Sequence, residues 1–330
     1  MKIKQLKLFL LISLALTGTA LATNSHRIYA ASQVPVIQQS KQPARQPRIG
    51  SRDLIQGPKL RLKRAKAAVA LDGRTGQVVY QKNANQKRLV ASTGKLMTLY
   101  LAEKKLSRDP NGWNQKVRIS KPLIRMGYNG NLDGFKFKAK KRYRIRKIFK
   151  QAFVASDDNS AIRLGEWVGG SNRHFITLMN RQARKWHLRA NFTSASGLEN
   201  DDLAPYGLWV RGGYYSGNRI SAKSLAIIAY HLINDFPGVM RYSIIKETTV
   251  DGQRLHNYNN LLPGRKYYER HLHVDGLKTG YTPAAGYCFV GTGKRPGKDR
   301  LITVVLDDPT EFSDTDDLMN FVYRNSNLYQ

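Results

Sequence analysis

Cysteine is nearly absent from this chain of 330 residues, and its histidines form no metal-binding pattern. The single cysteine, Cys288, excludes an intramolecular disulfide, so the fold must be held together by its hydrophobic core. Because Cys288 stands in the apolar run Tyr287–Val290, we expect a buried small side chain and not a nucleophile. None of the seven histidines belongs to an H-E-x-x-H pattern, so the sequence predicts no metal site.

Acidic residues are also scarce, and this leaves a large excess of positive charge. The chain has 55 Lys and Arg against 23 Asp and Glu, and its net charge is +32. Such an excess indicates a polyanionic partner, which can be nucleic acid, an anionic membrane or an anionic wall polymer. With 41% hydrophobic residues, the chain can still bury a sizeable core, which argues against a wholly disordered protein.

A long hydrophobic run occurs only at the N-terminus. Three lysines in the first seven residues precede the apolar stretch Leu8–Ala22, which is shorter than the roughly 20 residues of a membrane-spanning helix. This pattern predicts a signal peptide over residues 1–31, cleaved after Ala22 or near Ala30-Ala31, with an uncleaved N-terminal anchor as the alternative. Export would place the protein outside the cell or on its wall, and it argues against a nucleic-acid partner.

Composition divides the rest of the chain into a linker and one folded domain. Residues 32–61 are basic and rich in Pro and Gln, and their low hydrophobicity predicts an extended segment. We therefore expect a single domain over residues 62–330.

Strand patterns stand at both ends of this domain, with helical patterns between them. Apolar strands flank the turn residues 72–76, and three more strands are expected between residues 273 and 306. A last helix is predicted over residues 314–324, with Ser313 as its N-cap. Both ends should share one antiparallel sheet, which makes the expected fold class α/β (α+β).

Residues 136–150 form a strongly basic segment, with nine Lys or Arg and no acid. From Ile145 onward the apolar residues fall at helical spacing, which predicts a basic amphipathic helix that runs toward Ser156. Two interpretations stay open: the basic side chains form an ordinary solvated helix face, or they bind an anionic polymer.

The tetrad Ser92-Thr93-Gly94-Lys95 stands at the start of a predicted helix. Residues i and i+3 lie on the same helix face, so the Lys95 amine can reach the Ser92 hydroxyl. A serine becomes a good nucleophile only beside a base, and a buried lysine can be that base once it is neutral. The start of a helix also favours negative charge, which suits a developing oxyanion.

A second group of candidates lies near the C-terminus, in Lys278-Thr279-Gly280. At a strand edge, the Lys278 ammonium and the Thr279 hydroxyl can bind a substrate carboxylate. Gly280 has no side chain, so a ligand can approach the backbone closely there.

A third element, Ser156-Asp157-Asp158-Asn159, lies between these two motifs. The order S-x-x-K, Ser/Asn element and K-T-G is that of penicillin-binding proteins and class A β-lactamases. The chain resembles the low-molecular-mass D-alanyl-D-alanine carboxypeptidases over most of residues 65–326. The similarity includes the strings Ala195-Ser196-Gly197-Leu198 and Asn259-Asn260-Leu261-Leu262. The resemblance implies a β-lactamase/transpeptidase-like fold, in which helices flank the sheet and form a mainly helical subdomain.

The Ser/Asn element departs from the family pattern, which has S-x-N followed by Asp. An ungapped alignment puts Asp158 at the Asn position and Asn159 directly after it. Either Asp158 takes the place of the family's asparagine, or a small backbone shift lets Asn159 take that place. A carboxylate here would add negative charge near Lys95 and make that lysine a poorer base at neutral pH.

The resemblance implies hydrolysis of the bond between the last two D-alanines of a peptidoglycan stem peptide. Ser92 would attack the carbonyl, Lys95 would take the hydroxyl proton, and Ser156 would help to protonate the leaving amine. The backbone N–H groups of Ser92 and Tyr281 would form the oxyanion hole.

The resemblance also implies which residues contact the substrate. Lys278, Thr279 and Gly280 would hold the terminal carboxylate and the adjacent backbone, together with Asp158 or Asn159. β-Lactams mimic the substrate in this family, so they should acylate the same serine and leave slowly. The chemistry requires neither a metal nor another cofactor.

Many relatives carry a second, β-rich domain and a C-terminal amphipathic membrane anchor. Because the chain stops at Gln330, we expect neither, and retention on anionic wall polymers would replace the anchor. One alternative is a catalytically idle wall-binding protein on the same scaffold, which the aspartate at position 158 and the high charge favour. The other is a β-lactamase, for which the sequence offers no clear deacylating Glu.

Overall fold

The structure, a computed structural model, describes residues 60–329. The predicted signal peptide, over residues 1–31, and nearly all of the predicted linker lie outside the described residues. Within them, the strands are β1 (Ala67–Asp72), β2 (Val78–Lys82), β3 (Lys87–Leu89), β4 (Lys116–Arg118), β5 (Arg142–Arg144), β6 (Ala190–Asn191), β7 (Arg219–Ser221), β8 (Glu247–Val250), β9 (Gln253–His256), β10 (Val274–Thr282), β11 (Gly286–Lys294) and β12 (Arg300–Leu306).

Most of the helices lie in the chain between the two groups of long strands. They are α1 (Lys95–Leu106), α2 (Lys121–Met126), α3 (Ile145–Val154), α4 (Asp158–Gly169), α5 (Asn172–Lys185), α6 (Asn200–Leu203), α7 (Ala222–Asp235), α8 (Met240–Ser243) and α9 (Glu311–Asn325). Short 3₁₀ helices span Ala91–Gly94, Pro110–Asn114, Ala204–Tyr206, Pro237–Val239 and Arg270–Leu272. No helix in the described part of the chain is both long enough and apolar enough to cross a membrane.

One antiparallel sheet joins the two ends of the domain, in the strand order β10-β11-β12-β1-β2. The predicted hairpin is confirmed: β1 pairs with β2, and the Asp72 carboxylate accepts hydrogen bonds from the backbone and hydroxyl of Thr75 at 2.7 Å each. β1 also pairs with β12, from Ala67 opposite Leu306 to Asp72 opposite Leu301. The prediction that the N-terminal and C-terminal segments share one sheet is therefore confirmed.

Both faces of this sheet are covered, which explains why every residue of β1 is buried. Side chains alternate between the two faces of a strand. Val69 and Leu71 belong to the larger core, which also contains α1 and α7, whereas Ala68 and Ala70 pack in the smaller core with α9. The sheet thus lies between α9 on one side and the helical part of the domain on the other, as the α/β (α+β) prediction requires.

One local prediction needs correction, and another is confirmed. The last helix begins at Glu311, so Ser313 lies inside α9 and is not its N-cap. The chain turns earlier because the Asp308 carboxylate accepts hydrogen bonds from the backbone (3.0 Å) and hydroxyl (3.1 Å) of Thr310. In the basic segment, the helix predicted from Ile145 onward is confirmed as α3, and residues 142–144 before it form β5 against β4.

Candidate active site

Ser92 and Lys95 lie at the junction of a 3₁₀ turn and the first long helix. Ser92 belongs to the turn Ala91–Gly94, and Lys95 is the first residue of α1. The amide and the hydroxyl of Thr93 both donate to the carbonyl of Val90, which holds the turn closed. The Lys95 Nζ lies 2.6 Å from the Ser92 Oγ, so the spacing predicted from the sequence brings the amine to the hydroxyl.

Asp158 is the second partner of the Lys95 amine. Its Oδ1 lies 2.7 Å from the Lys95 Nζ, and both side chains are buried. Burial raises the pKa of Asp158 to about 6, and the positive charge of Lys95 opposes this rise without cancelling it. A carboxyl group with this pKa can take or release a proton near neutral pH.

Ser156 and Lys278 form a second pair beside the first. The Lys278 Nζ donates to the Ser156 Oγ and to the carbonyl of Thr279, at 2.9 Å each. Ser156 stands in the turn between α3 and α4 with a φ of 63°, an uncommon left-handed conformation for a residue with a side chain. Burial, followed by the nearby charge of Lys95, lowers the pKa of Lys278 to about 7.

Asn159 does not line the cleft, so the sequence expectation that it could contact substrate is corrected. Its Nδ2 donates to the carbonyls of Leu123 (3.0 Å) and Phe135 (2.8 Å), and its Oδ1 accepts from the Phe135 amide at 3.0 Å. The side chain ties the start of α4 to α2 and to the loop that follows α2, and this leaves Asp158 to face Lys95. Of the two candidates, only Asp158 lies in the cleft.

Strand β10 runs along the cleft and brings the K-T-G motif to Ser92. Gly280 lies so close to the 3₁₀ turn that a Cβ added there would be 2.9 Å from the Ser92 nitrogen and 2.8 Å from the Thr93 nitrogen. Only glycine permits this approach. Thr279, Gly280 and the exposed Tyr281 all line the cleft.

The cleft has a volume of about 670 Å³ and includes residues that the sequence patterns did not indicate. The loop after α2 contributes Asp133, whose backbone carbonyl accepts from the Asp158 amide at 2.7 Å. The Tyr258 hydroxyl donates to the Asp133 Oδ1 at 3.3 Å and closes the same side of the cleft. The contact between Tyr258 and Asp133 joins segments 125 residues apart, so no local sequence pattern predicts it.

Cys288 is buried, as the sequence predicts, and its thiol lies near the backbone carbonyls of Leu89, Ala285 and Gly286. Burial raises the pKa of this thiol to about 12, so it stays protonated and is no nucleophile at neutral pH. Across residues 60–329, no group of three or more His, Cys, Asp or Glu side chains could hold a metal ion.

Comparison with known proteins identifies the family. Residues 56–310 match the family model described as D-alanyl-D-alanine carboxypeptidase. The chain belongs to this family. It is 30% identical over 243 residues to the D-alanyl-D-alanine carboxypeptidase DacF of Bacillus subtilis (strain 168), an alignment that covers 73% of this chain and 57% of that protein. For DacC of Escherichia coli (strain K12), the identity is 31% over 267 residues, which cover 79% of this chain and 61% of DacC.

Solved structures agree with the family assignment. The peptidoglycan synthesis regulatory factor PBP3 from Streptococcus pneumoniae superposes with a TM-score of 0.74 at 30% identity, covering 78% of this chain and 73% of that one. Penicillin-binding protein D2 from Listeria monocytogenes, solved in a cefotaxime-bound form, gives a TM-score of 0.66 at 29% identity, covering 81% of this chain and 100% of that one. The fold is therefore that of the penicillin-binding proteins, although the chain spans only about three fifths of the length of its curated relatives.

Proposed function

We propose that the protein is a serine-type D-Ala-D-Ala carboxypeptidase, which removes the terminal D-alanine from peptidoglycan stem peptides through an acyl-enzyme on Ser92. The observation that carries the proposal is the 2.6 Å contact between the Lys95 Nζ and the Ser92 Oγ, in a cleft that Ser92 and Ser156 both line. A buried amine at this distance is the base that a serine nucleophile needs. Membership of the carboxypeptidase family supports the same substrate.

Proton transfer from Ser92 must pass through the Lys95–Asp158 pair. A charged Lys95 has no lone pair to accept a proton, so it first gives one to Asp158 across 2.7 Å. The neutral amine then takes the Ser92 proton as the serine oxygen bonds to the substrate carbonyl carbon. The raised pKa of Asp158 makes the first transfer less unfavourable.

The other end of the cleft suits the leaving group. Lys278 and Thr279 would hold the terminal carboxylate of the peptide, because a cation and a hydroxyl there form charge-assisted hydrogen bonds with it. Ser156, which accepts a hydrogen bond from Lys278 at 2.9 Å, would pass a proton to the departing D-alanine amine. Water would then hydrolyse the ester on Ser92.

The carbonyl oxygen of the substrate gains negative charge during this attack. By resemblance to the family, the backbone N–H groups of Ser92 and Tyr281 would stabilise it. The tight packing of Gly280, the residue before Tyr281, against the Ser92 nitrogen supports this, since it brings the backbone of β10 close to that of Ser92. The side chains and amides of this chain can perform every step, so no metal or other cofactor is required.

The proposal is tested first by the intact mass of the protein after incubation with benzylpenicillin, with Ser92→Ala as the matched variant. We expect a stable adduct on the wild type and none on the variant. Release of D-alanine from a peptide ending in D-Ala-D-Ala should then depend on Ser92. No adduct with intact penicillin would favour a catalytically idle wall-binding protein, and no adduct with consumed penicillin would favour a β-lactamase.

We also propose that the protein is secreted and held on anionic wall polymers by its charge. The proposed domain boundaries are a signal peptide over residues 1–31, a linker over 32–61 and the catalytic domain over 62–330. The mature chain would carry a charge of +28, because residues 1–31 hold four basic residues and no acidic one. In the basic segment 136–150, seven of the nine Lys and Arg side chains are exposed, which supports contact with a polyanion.

Retention on the wall is tested by elution of the mature protein from purified cell walls with increasing salt. We expect release at moderate ionic strength, because salt screens exposed charges. Arg144→Glu with Arg146→Glu should elute earlier than a control that reverses two exposed charges on α5, Arg181→Glu with Arg184→Glu. Binding that resists salt, or equal elution of the two variants, would contradict the role of the basic segment.

A further inference from the structure

An exposed group of aromatic side chains lies outside the machinery described above. Residues 207–217, here called the aromatic loop, connect the 3₁₀ helix Ala204–Tyr206 to β7. Trp209, Tyr214 and Tyr215 are 41%, 45% and 79% exposed. Neighbouring rings meet edge to face, with centroids 5.8 Å apart for Trp209 and Tyr214 and 5.0 Å for Tyr214 and Tyr215. Contiguous exposed aromatic surface of this kind often marks a binding site, whereas apolar side chains that are exposed singly are ordinary.

Hydrogen bonds hold the aromatic loop in a fixed shape. The Asn200 Nδ2 donates to the carbonyls of Arg211 (2.6 Å) and Gly213 (2.8 Å). The Trp209 indole N–H donates to the carbonyl of Gly212 at 3.0 Å. Because the rings are already oriented, a ligand that stacks on them loses little affinity to ordering the loop.

Asn200 also connects the aromatic loop to the wall of the cleft. Asn200 lies in α6, between Leu198 and Asp202, and both of these residues line the cleft. The adjacent Glu199 accepts a hydrogen bond from the Thr282 hydroxyl of β10 at 3.0 Å. The aromatic loop therefore lies beside the end of β10 that follows the K-T-G motif.

The direction in which the substrate would lie in the cleft also leads toward the aromatic loop. In the proposed reaction, the terminal carboxylate lies at Lys278 and Thr279, and the scissile carbonyl lies between Ser92 and Tyr281. The preceding residues of the stem peptide then extend past Tyr281 toward Thr282 and α6. A stem of five extended residues spans roughly 17 Å at most, so the sugar to which it is attached stays near the cleft.

We propose that the aromatic loop binds the glycan strand that carries the stem peptide, with Trp209, Tyr214 and Tyr215 stacked on its sugar rings. This inference rests on the proposed carboxypeptidase function. Sugar rings present apolar C–H faces that pack on aromatic rings, and their hydroxyl and acetamido groups reach the polar edges of tyrosine and tryptophan. The loop thus directs the enzyme to stems that are attached to glycan rather than to free peptides.

The test compares D-alanine release from glycan strands that carry stem peptides with release from the same peptide free of glycan. For Trp209→Ala with Tyr215→Ala, we expect kcat/KM to fall about tenfold or more on the strands, the loss expected for two stacked rings, and to stay unchanged on the free peptide. Ile244→Ala removes an exposed apolar side chain (54%) outside the loop and should change neither rate. Equal rates for wild type and double variant on the strands, or an equal loss on both substrates, would overturn the proposal.

A second measurement separates failure of this proposal from failure of the proposed function. Binding of Ser92→Ala protein to glycan strands stripped of their peptides needs no catalysis, and the double variant in the same background should bind at least tenfold more weakly, since two ring contacts are lost. Loss of D-alanine release from both substrates in the wild type, with strand binding intact, would leave the loop assignment standing. Sedimentation that shows a dimer for the wild type and a monomer for the double variant would instead identify a second copy as the occupant and overturn the proposal.

Discussion

Replacement of Asp158 by asparagine should stabilise the protein at neutral pH. Asp158 is buried against Lys95, and burial is the largest influence on its carboxyl group. An asparagine has nearly the same shape as the protonated acid, keeps an oxygen toward Lys95, and carries no charge to bury. The unfolded chain, in contrast, gains nothing from the exchange, because its side chain at position 158 is in water.

The size of the effect follows from the rise in the pKa of Asp158, from a usual 3.8 to about 6. A tenfold change in an acid's dissociation constant corresponds to about 1.4 kcal/mol, so the ionised carboxylate costs the folded state about 3 kcal/mol above pH 6. Because the pKa is raised, Asp158 in the unfolded chain releases its proton above pH 3.8, whereas in the folded protein it does so only above about pH 6. The free energy of unfolding therefore falls as the pH rises between these two values. Below pH 3.8 both states hold the proton and the cost vanishes.

Urea and thermal unfolding of wild type and Asp158→Asn, from pH 4 to pH 7.5, would measure this difference. We expect the free energies of unfolding to differ by less than about 1 kcal/mol at pH 4 and by about 3 kcal/mol at pH 7.5. The melting temperature at pH 7.5 should rise by roughly 6 °C for a domain of this size. Asp109→Asn, an exchange at an exposed aspartate, is the control and should show no such dependence on pH.

A variant that is equally stable or less stable at pH 7.5 would refute the reasoning. It would mean that attraction between Asp158 and Lys95 outweighs the burial of the carboxylate, as happens when removal of one partner leaves a buried charge uncompensated. The same variant bears on the mechanism. Without the carboxylate, the Lys95 amine has lost the group to which it gives its proton, so acylation by benzylpenicillin at pH 7 should be slower than in the wild type.

Three further outcomes follow from the geometry of the cleft. Because the pKa of Lys278 is lowered to about 7, this side chain is charged below pH 7 and loses its charge above it, so the KM for peptides ending in D-Ala-D-Ala should rise as the pH increases from 7 to 8.5. Gly280→Ala would place a methyl group 2.9 Å from the Ser92 nitrogen. We expect acylation by a fluorescent penicillin to slow by about a hundredfold or more, which is the cost of losing one oxyanion donor. The far-UV circular dichroism should change little. Asn159→Ala leaves its buried backbone partners unpaired, and urea unfolding should report a loss of about 3 kcal/mol, whereas unchanged stability would contradict the account of its three hydrogen bonds.

Local spacing accounts for what the sequence predicted well. The contact between Ser92 and Lys95 spans a single turn, and the hairpin of β1 and β2 depends on the adjacent residues 72–76. The three C-terminal strands are regular and separated by clear turns. Features of this kind depend on neighbours in the chain, so their pattern is visible in the sequence.

Long-range contacts decide what the sequence left open. Whether Asp158 or Asn159 faces Lys95 depends on the loop after α2, whose Phe135 backbone engages the Asn159 amide. Asp133 and Tyr258 reach the cleft from segments that share no pattern with the three motifs. The start of α9 at Glu311 likewise depends on the hydrogen bonds that Thr310 donates to Asp308. The sequence pattern instead indicated an N-cap at Ser313.

The distribution of charge separates the two proposed roles of this protein. The chain is strongly basic, yet Asp133, Asp158, Asp202 and Glu311 line the cleft, and the two lysines beside them, Lys95 and Lys278, are buried. A polyanion attracted to the basic segment 136–150 is therefore repelled from the cleft. The small carboxylate of a stem peptide can still reach Lys278, because one buried cation beside Thr279 compensates a single negative charge. Wall retention and peptide hydrolysis can then proceed on one domain without competing for the same surface.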